Sequence, residues 1–192
     1  MFNFRYLIFG GAFDPIHIGH LQKASEVRKR LGFDRVLIMP TYKNMFGKQM
    51  APAEDRINMI KQSLIDYPDW HLLVSPFEVC NKLELCTYDI LKLYLSLDRI
   101  DYSYLIGGDQ AQDINKWKYW EKLVKLIPFV VVTRDLDEKI PAFFYKKPHQ
   151  VVVSADYPIS STKIREQIRA GVEPEGLTPN TLNYIKRNKL YV

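Results

Sequence analysis

At 192 residues, 47% hydrophobic and 26% charged, the chain has the composition of a soluble globular protein, read as one domain over residues 1–192. No apolar run reaches the roughly 18 residues of a membrane span and no signal-peptide pattern opens the chain; with only Cys80 and Cys86, spaced for neither a zinc knuckle nor a redox pair, a cytoplasmic protein with reduced thiols is expected. The formal charge of +5 is scattered, so a polyanionic small substrate accounts for it as well as nucleic acid, which stays the minor alternative.

Short apolar runs alternate with helical patterns, which predicts an α/β fold with a parallel sheet. Tyr6–Phe9 reads as the first strand. It ends at Gly10-Gly11, the turn continues through Asp14-Pro15, and a helix opens near Gly19-His20. Leu21, Ala24, Val27 and Leu31 give that helix one apolar face, and Gly32 stops it. Arg35–Met39 is the second strand, closed by Pro40 and followed by a polar loop over 41–51 with Lys43 and Lys48. Pro52 suits a helix first turn; Ile57, Ile60 and Leu64 supply the stripe, and Asp66–Asp69 ends it. Trp70–Val74 is the third strand, and 75–85 has no decisive period. Thr87 is a candidate N-cap for a helix running to about Leu97.

Tyr102–Ile106 is the fourth strand, ending in Gly107-Gly108-Asp109, and a tryptophan-rich helical region follows to about Leu126. Phe129–Thr133 is the fifth strand, 135–148 a loop, and Gln150–Ser154 the last strand. Helices are expected over Ser160–Ala170 and from Thr178-Pro179 onward. The expected architecture is one Rossmann-like doubly wound parallel sheet, order 3-2-1-4-5 plus a further strand, with helices on both faces. The first and fourth strands are then neighbours at the switch point, where ligands bind. Both end in paired glycines, as a nucleotide lying against bare backbone requires.

Neither G-x-G-x-x-G nor G-x-x-x-x-G-K-[ST] is present. The first glycine turn instead carries His17 and His20 around Gly19 at a helix N-terminus. Without thiols or carboxylates beside them, two imidazoles make a poor metal site but good donors to phosphate oxygens. The bland alternative is one capping and one surface histidine. A second anion-binding element is Pro158-Ile-Ser-Ser-Thr-Lys-Ile-Arg165, where hydroxyls, first-turn amides and Arg165 meet at a helix start. Taken alone, such a hydroxyl cluster is an ordinary N-cap.

The stretch Gly10 to His20 resembles the signature of nucleotidylyltransferases built on an H-x-G-H core, and Ile159 to Arg165 is similar to their I-S-S-T-x-I-R motif. The Ile106-Gly-Gly-Asp109 segment, Trp117, Thr87-Tyr88, Arg134 and the ending Thr178 to Tyr191 look like the nicotinate-nucleotide adenylyltransferases, so the resemblance spans nearly the whole chain. It implies ATP contacts at Gly10, Gly11, Ala12, Phe13, His17, Gly19, His20, Gly107, Asp109, Arg134, Ile159, Ser160, Ser161, Thr162 and Arg165. It further implies a mononucleotide site at Thr87, Tyr88, Asp109 and Trp117. His17, His20, Lys48 and Arg165 would be the catalytic set, with no protein-held metal. The chain departs from the family pattern at Ala12 in place of threonine, in the 42–48 loop, and at Asp89, which adds a negative charge near the expected carboxylate subsite. Either Lys43 or Lys48 could be the phosphate-binding lysine, with Lys48 preferred.

The implied reaction is adenylyl transfer from ATP, with Mg2+, to nicotinate mononucleotide in NAD biosynthesis. The alternatives are a nicotinamide-mononucleotide or pantetheine-phosphate acceptor, and a nucleotide-binding module without catalysis.

Overall fold

The computed structural model describes residues 4–43, 47, 49–134, 139–155 and 157–192. Six strands, β1 (Arg5–Gly11), β2 (Arg35–Pro40), β3 (Leu72–Val74), β4 (Asp101–Gly107), β5 (Phe129–Thr133) and β6 (Gln150–Val153), form one sheet. Its order is β3-β2-β1-β4-β5-β6 and each neighbouring pair is parallel, as the alternating pattern predicts. The helices are α1 (Ile18–Leu31), α2 (Ala53–Ile65), α3 (Phe77–Cys80), α4 (Thr87–Tyr94), α5 (Gly108–Gln112), α6 (Trp120–Leu126), α7 (Ser161–Arg169) and α8 (Pro179–Asn188).

Strand alternation divides the core in two. Leu7 and Phe9 of β1 and Val130 and Val132 of β5 pack with Leu21, Ala24 and Val27 of α1, Met59 and Ile60 of α2 and Ile185 of α8. Ile8, Phe129 and Val131 point the other way, onto Ile90 and Leu91 of α4, Ala111 of α5 and Leu123 of α6. Strands buried on both faces read as continuous apolar runs, which is why they stand out in the sequence.

The boundaries depart from the sequence expectation where local geometry intervenes. Pro68–Trp70 forms a 3-10 turn and His71 takes a left-handed φ of 56°, so β3 begins only at Leu72. Cys86, not Thr87, occupies the N-cap of α4, and that helix closes at Tyr94 rather than Leu97. The tryptophan-rich region splits into α5, a 3-10 turn at Ile114–Lys116, and α6, because Tyr119 adopts φ 59° and breaks the helical path. The patternless 75–85 stretch contains the single turn of α3.

At the carboxyl end of the sheet, Gly10 lies directly against the hydroxyl of Tyr104 on the neighbouring β4, leaving no room for a Cβ. Gly10→Ala is therefore expected to lower stability by about 1–3 kcal/mol through overpacking, at unchanged denaturant m-value. Adding Tyr104→Phe should recover part of the loss in urea unfolding. Equal stability of Gly10→Ala and the unaltered protein would contradict the close approach.

Candidate active site

The turn after β1 is set by Phe13, at φ 47°, before the chain enters α1. His17 is extended (φ −144°, ψ 168°) and occupies the N-cap of α1. Its backbone N–H donates to Nδ1 of His20 at 3.3 Å, so His20 takes the place that a glutamate holds in a capping box. A neutral His20 that accepts at Nδ1 carries its proton on Nε2. The two imidazoles stack with centroids 3.6 Å apart, and Phe13 meets His20 edge-on at 5.2 Å. Burial, reinforced by the charge of Lys23, pushes the His17 pKa down to about 4. Burial, then His17 and Lys23, hold His20 well below the ordinary histidine range. Both imidazoles are neutral N–H donors near pH 7 in the ligand-free protein. The bland reading of His17 as a capping residue is right in its geometry, yet His17 still lines the cavity.

The start of α7 is stitched onto this turn from across the chain. Ser161 Oγ donates to the Pro15 carbonyl at 2.9 Å and Arg165 Nη1 to the Asp14 carbonyl at 2.7 Å. Arg165 Nη2 also reaches Thr162 Oγ1 at 3.3 Å. The Ile18 N–H, in the first turn of α1, donates to Gly176 O at 2.8 Å. Two helix N-termini thus open onto one place, where partial positive charge and first-turn N–H groups suit an anion. Ser154 and Tyr157 both donate to Glu26 on α1, at 2.6 and 3.1 Å, which seats the opposite wall.

One cavity, at the carboxyl ends of β1 and β4, collects most of the expected ATP residues. Gly10, Gly11, Ala12, Phe13, His17, Gly19, His20, Gly107, Asp109, Arg134, Ile159, Ser161 and Arg165 line it. Ser160 and Thr162 do not line it but flank those that do on α7. Thr87, Tyr88 and Trp117 also lie outside that lining. Thr87 and Tyr88 open α4, while Tyr88 and Trp117 each pack against the second core cluster. Lys48 lies outside the described residues. Lys43 does not line the cavity and pairs with Glu84 at 2.9 Å on the surface. Asp89 accepts the Cys86 thiol at 3.1 Å, which holds its carboxylate against the first turn of α4.

Sequence reasoning missed four supports. Arg56 is fully buried and donates to three carbonyls, Ala51 at 3.0 Å, Ala12 at 2.8 Å and Tyr42 at 3.1 Å. The signal was available, because Arg56 falls on the buried stripe of Met59, Ile60 and Ser63. Glu78, raised to about 7 by burial against the pull of the Tyr42 amide and Arg56, accepts the Tyr42 N–H at 2.7 Å. Asp14 is buried and accepts from Ala51 N and Tyr191 OH. Thr133 lines the cavity with a buried hydroxyl that has no partner among the described residues.

Comparison with known proteins places the chain in a family. The family profile described as cytidylyltransferase-like matches residues 8–167, from within β1 to α7, and defines the class. A relative from Solibacter usitatus named "Probable nicotinate-nucleotide adenylyltransferase" is 37% identical, over 97% of this chain and 99% of its own. An Enterococcus faecalis protein of the same name is 32% identical, over 96% of this chain and 83% of its own. The chain belongs to the nicotinate-nucleotide adenylyltransferase family. In fold it is similar to the Plasmodium falciparum nicotinic acid mononucleotide adenylyltransferase complexed with NaAD, with a TM-score of 0.81 at 22% identity over 98% of each chain.

The buried His17 makes stability depend on pH with a definite sign. Its pKa is about 4 folded against an ordinary 6.5, so the unfolded chain binds more protons in that window and stability falls as pH drops from 6.5 to 4. The effect is on the order of 3 kcal/mol. Glu78 acts in the opposite direction between 4.5 and about 7. The expected result is therefore a difference: acidifying from pH 7 to 4.5 lowers the Tm of the unaltered protein more than that of His17→Gln, by roughly 5–10 °C. Parallel Tm curves for the two proteins would rule out a buried neutral His17.

Proposed function

We propose that the protein transfers the adenylyl group of ATP to the 5′-phosphate of nicotinate mononucleotide, releasing pyrophosphate and forming deamido-NAD in NAD biosynthesis. The observation that carries this reading is the convergence of the glycine turn, the stacked His17–His20 pair and the α7 start on one cavity at the β1–β4 switch point. Full-length likeness to relatives named for this activity supports it, as does the fold shared with an adenylyltransferase complexed with NaAD. The cytoplasmic location expected of such an enzyme agrees with two cysteines left as free thiols.

The acceptor's phosphate is already ionised near neutral pH, so it attacks the α-phosphorus of ATP in line without a general base. The P–O bond to pyrophosphate breaks as the new one forms. His17 and His20 donate to phosphate oxygens, and the N-terminal dipole of α1, the first-turn amides of α7, Ser161 and Arg165 neutralise charge as it moves toward the leaving group. Ser160, Thr162 and Ile159 shape the same start of α7. Gly10, Gly11, Ala12, Phe13 and Gly19 offer backbone to the phosphates, and Gly107 and Arg134 border the nucleoside. Lys48, preferred over the paired Lys43, supplies a further cation. Asp109 holds ribose hydroxyls, Trp117 stacks on the pyridine ring, and Thr87 and Tyr88 present α4 amides to its carboxylate.

Magnesium fits this site as part of the co-substrate. Among the described residues no group of three or more His, Cys, Asp or Glu side chains could hold a metal ion, and the cavity lining sets Asp14 and Asp109 among His17, His20, Lys23, Arg134 and Arg165. Phosphate oxygens are the hard ligands such an ion prefers, so it would be held by ATP itself and would supply screening of the triphosphate charge.

The test is pyrophosphate release with ATP, magnesium and separately offered nicotinate mononucleotide, nicotinamide mononucleotide and phosphopantetheine. Turnover is expected with the first. Preference for the amide would shift the acceptor and give Asp89 a part in specificity; ATP binding without turnover would leave a binding module. His17→Ala and His20→Ala should each lower kcat by about 10²-fold. A change under about threefold in both would remove the imidazoles from the mechanism.

A further inference from the structure

We infer that Tyr191 is a positioning residue for the phosphate-binding guanidinium of Arg165, acting through the carboxylate of Asp14; this rests on the reading of Arg165 as a triphosphate ligand. Asp14 is 3% exposed and its two carboxylate oxygens are in different situations. Oδ1 accepts from the Tyr191 hydroxyl at 2.8 Å and from the Ala51 N–H at 3.1 Å. Oδ2 lies 3.8 Å from Arg165 Nη1, beyond hydrogen-bond length. Arg165 Nη1 donates instead to the Asp14 main-chain carbonyl at 2.7 Å. The guanidinium is thereby oriented by a carbonyl while its charge is only loosely paired.

This arrangement depends on where the carboxylate's hydrogen-bonding capacity is directed. Two donors on Oδ1 hold the group turned toward Tyr191 and Ala51, and away from a bidentate ion pair with Arg165. Burial and the adjacent Asp14 raise the Tyr191 phenol far above its ordinary range, so it remains a donor at any working pH. Without that hydroxyl, Oδ1 loses one of its two donors; Arg56, the other cation near Asp14, is already committed to three carbonyls, so the carboxylate turns toward Arg165. Tighter pairing there takes cationic charge away from a bound triphosphate.

The role can be separated from simple anchoring, because α8 is held without Tyr191. Asn180 donates to Asp66 at 2.7 Å, Tyr184 to Asp55 at 2.8 Å and Thr181 to the Met59 carbonyl at 3.2 Å. Tyr191→Phe removes only the donor.

The experiment measures ATP affinity by calorimetry with magnesium present, together with steady-state constants, for the unaltered protein, Tyr191→Phe, Asp14→Asn and the double variant. Tyr191→Phe is expected to raise the Kd and KM for ATP about 5- to 10-fold, with the KM of the mononucleotide within about twofold of the unaltered value. In the Asp14→Asn background, where no carboxylate remains to turn, the same change should alter the ATP Kd by less than about twofold. An unchanged ATP Kd in Tyr191→Phe, or an equal loss in both backgrounds, overturns the inference. If the unaltered protein binds no ATP, the reading of the site falls and this inference falls with it. If it binds ATP and Tyr191→Phe binds it equally well, only the inference falls.

Discussion

A single guanidinium, buried to zero exposure, braces the glycine turn of the candidate active site. Arg56 joins the carbonyls of Ala12, Tyr42 and Ala51, so the glycine turn and both flanks of the 43–50 segment converge on one planar donor group. Its burial lowers its pKa, and the nearby Asp14, Tyr191 and Glu78 counter that shift. An arginine remains charged under such conditions where a lysine would be prone to lose its proton, and its fork reaches three acceptors in one plane. The same flanks are tied again through their amides, Tyr42 to Glu78 and Ala51 to Asp14. Main-chain polar groups that would otherwise be buried unpaired become the frame of the candidate site.

On that frame the cavity gathers helix N-termini and neutral imidazoles beside the cation of Arg165. The stacked imidazoles are deprotonated by burial, and one of them caps the helix whose N-terminus it extends. Protonating His20 at Nδ1 would cost the α1 cap, so structure and recognition both favour the tautomer that donates from Nε2. Donors fixed before the ligand arrives need little reorganisation during transfer.

The sheet order was legible because parallel strands buried on both faces leave apolar runs, and the site was legible because Gly10-Gly11 and Gly107-Gly108 end neighbouring strands. What stayed hidden depends on partners distant in sequence. Arg56 falls on the buried stripe of its helix, but what it holds appears only when Ala12 and Tyr42 come to it. Glu78 sits in a stretch without period, and its role appears only once Tyr42 folds over it. Tyr191 read as part of a familiar ending, with nothing local to tie it to Asp14. The start of β3 and the break before α6 were misjudged for a different reason. His71 and Tyr119 adopt left-handed backbone that no side-chain pattern announces.

The bond between Asp14 and Tyr191 spans 177 residues, and those between α7 and the glycine turn about 150. During synthesis the first strand and its turn emerge early, yet α7 and the segment after α8 arrive only after most of the chain, roughly 10–40 s later. For that interval the glycine turn lacks the contacts from Ser161, Arg165 and Tyr191 that brace it in the finished fold. The turn is thus fixed only once the two distant ends of the chain have met, and a chain truncated before α7 leaves it unbraced.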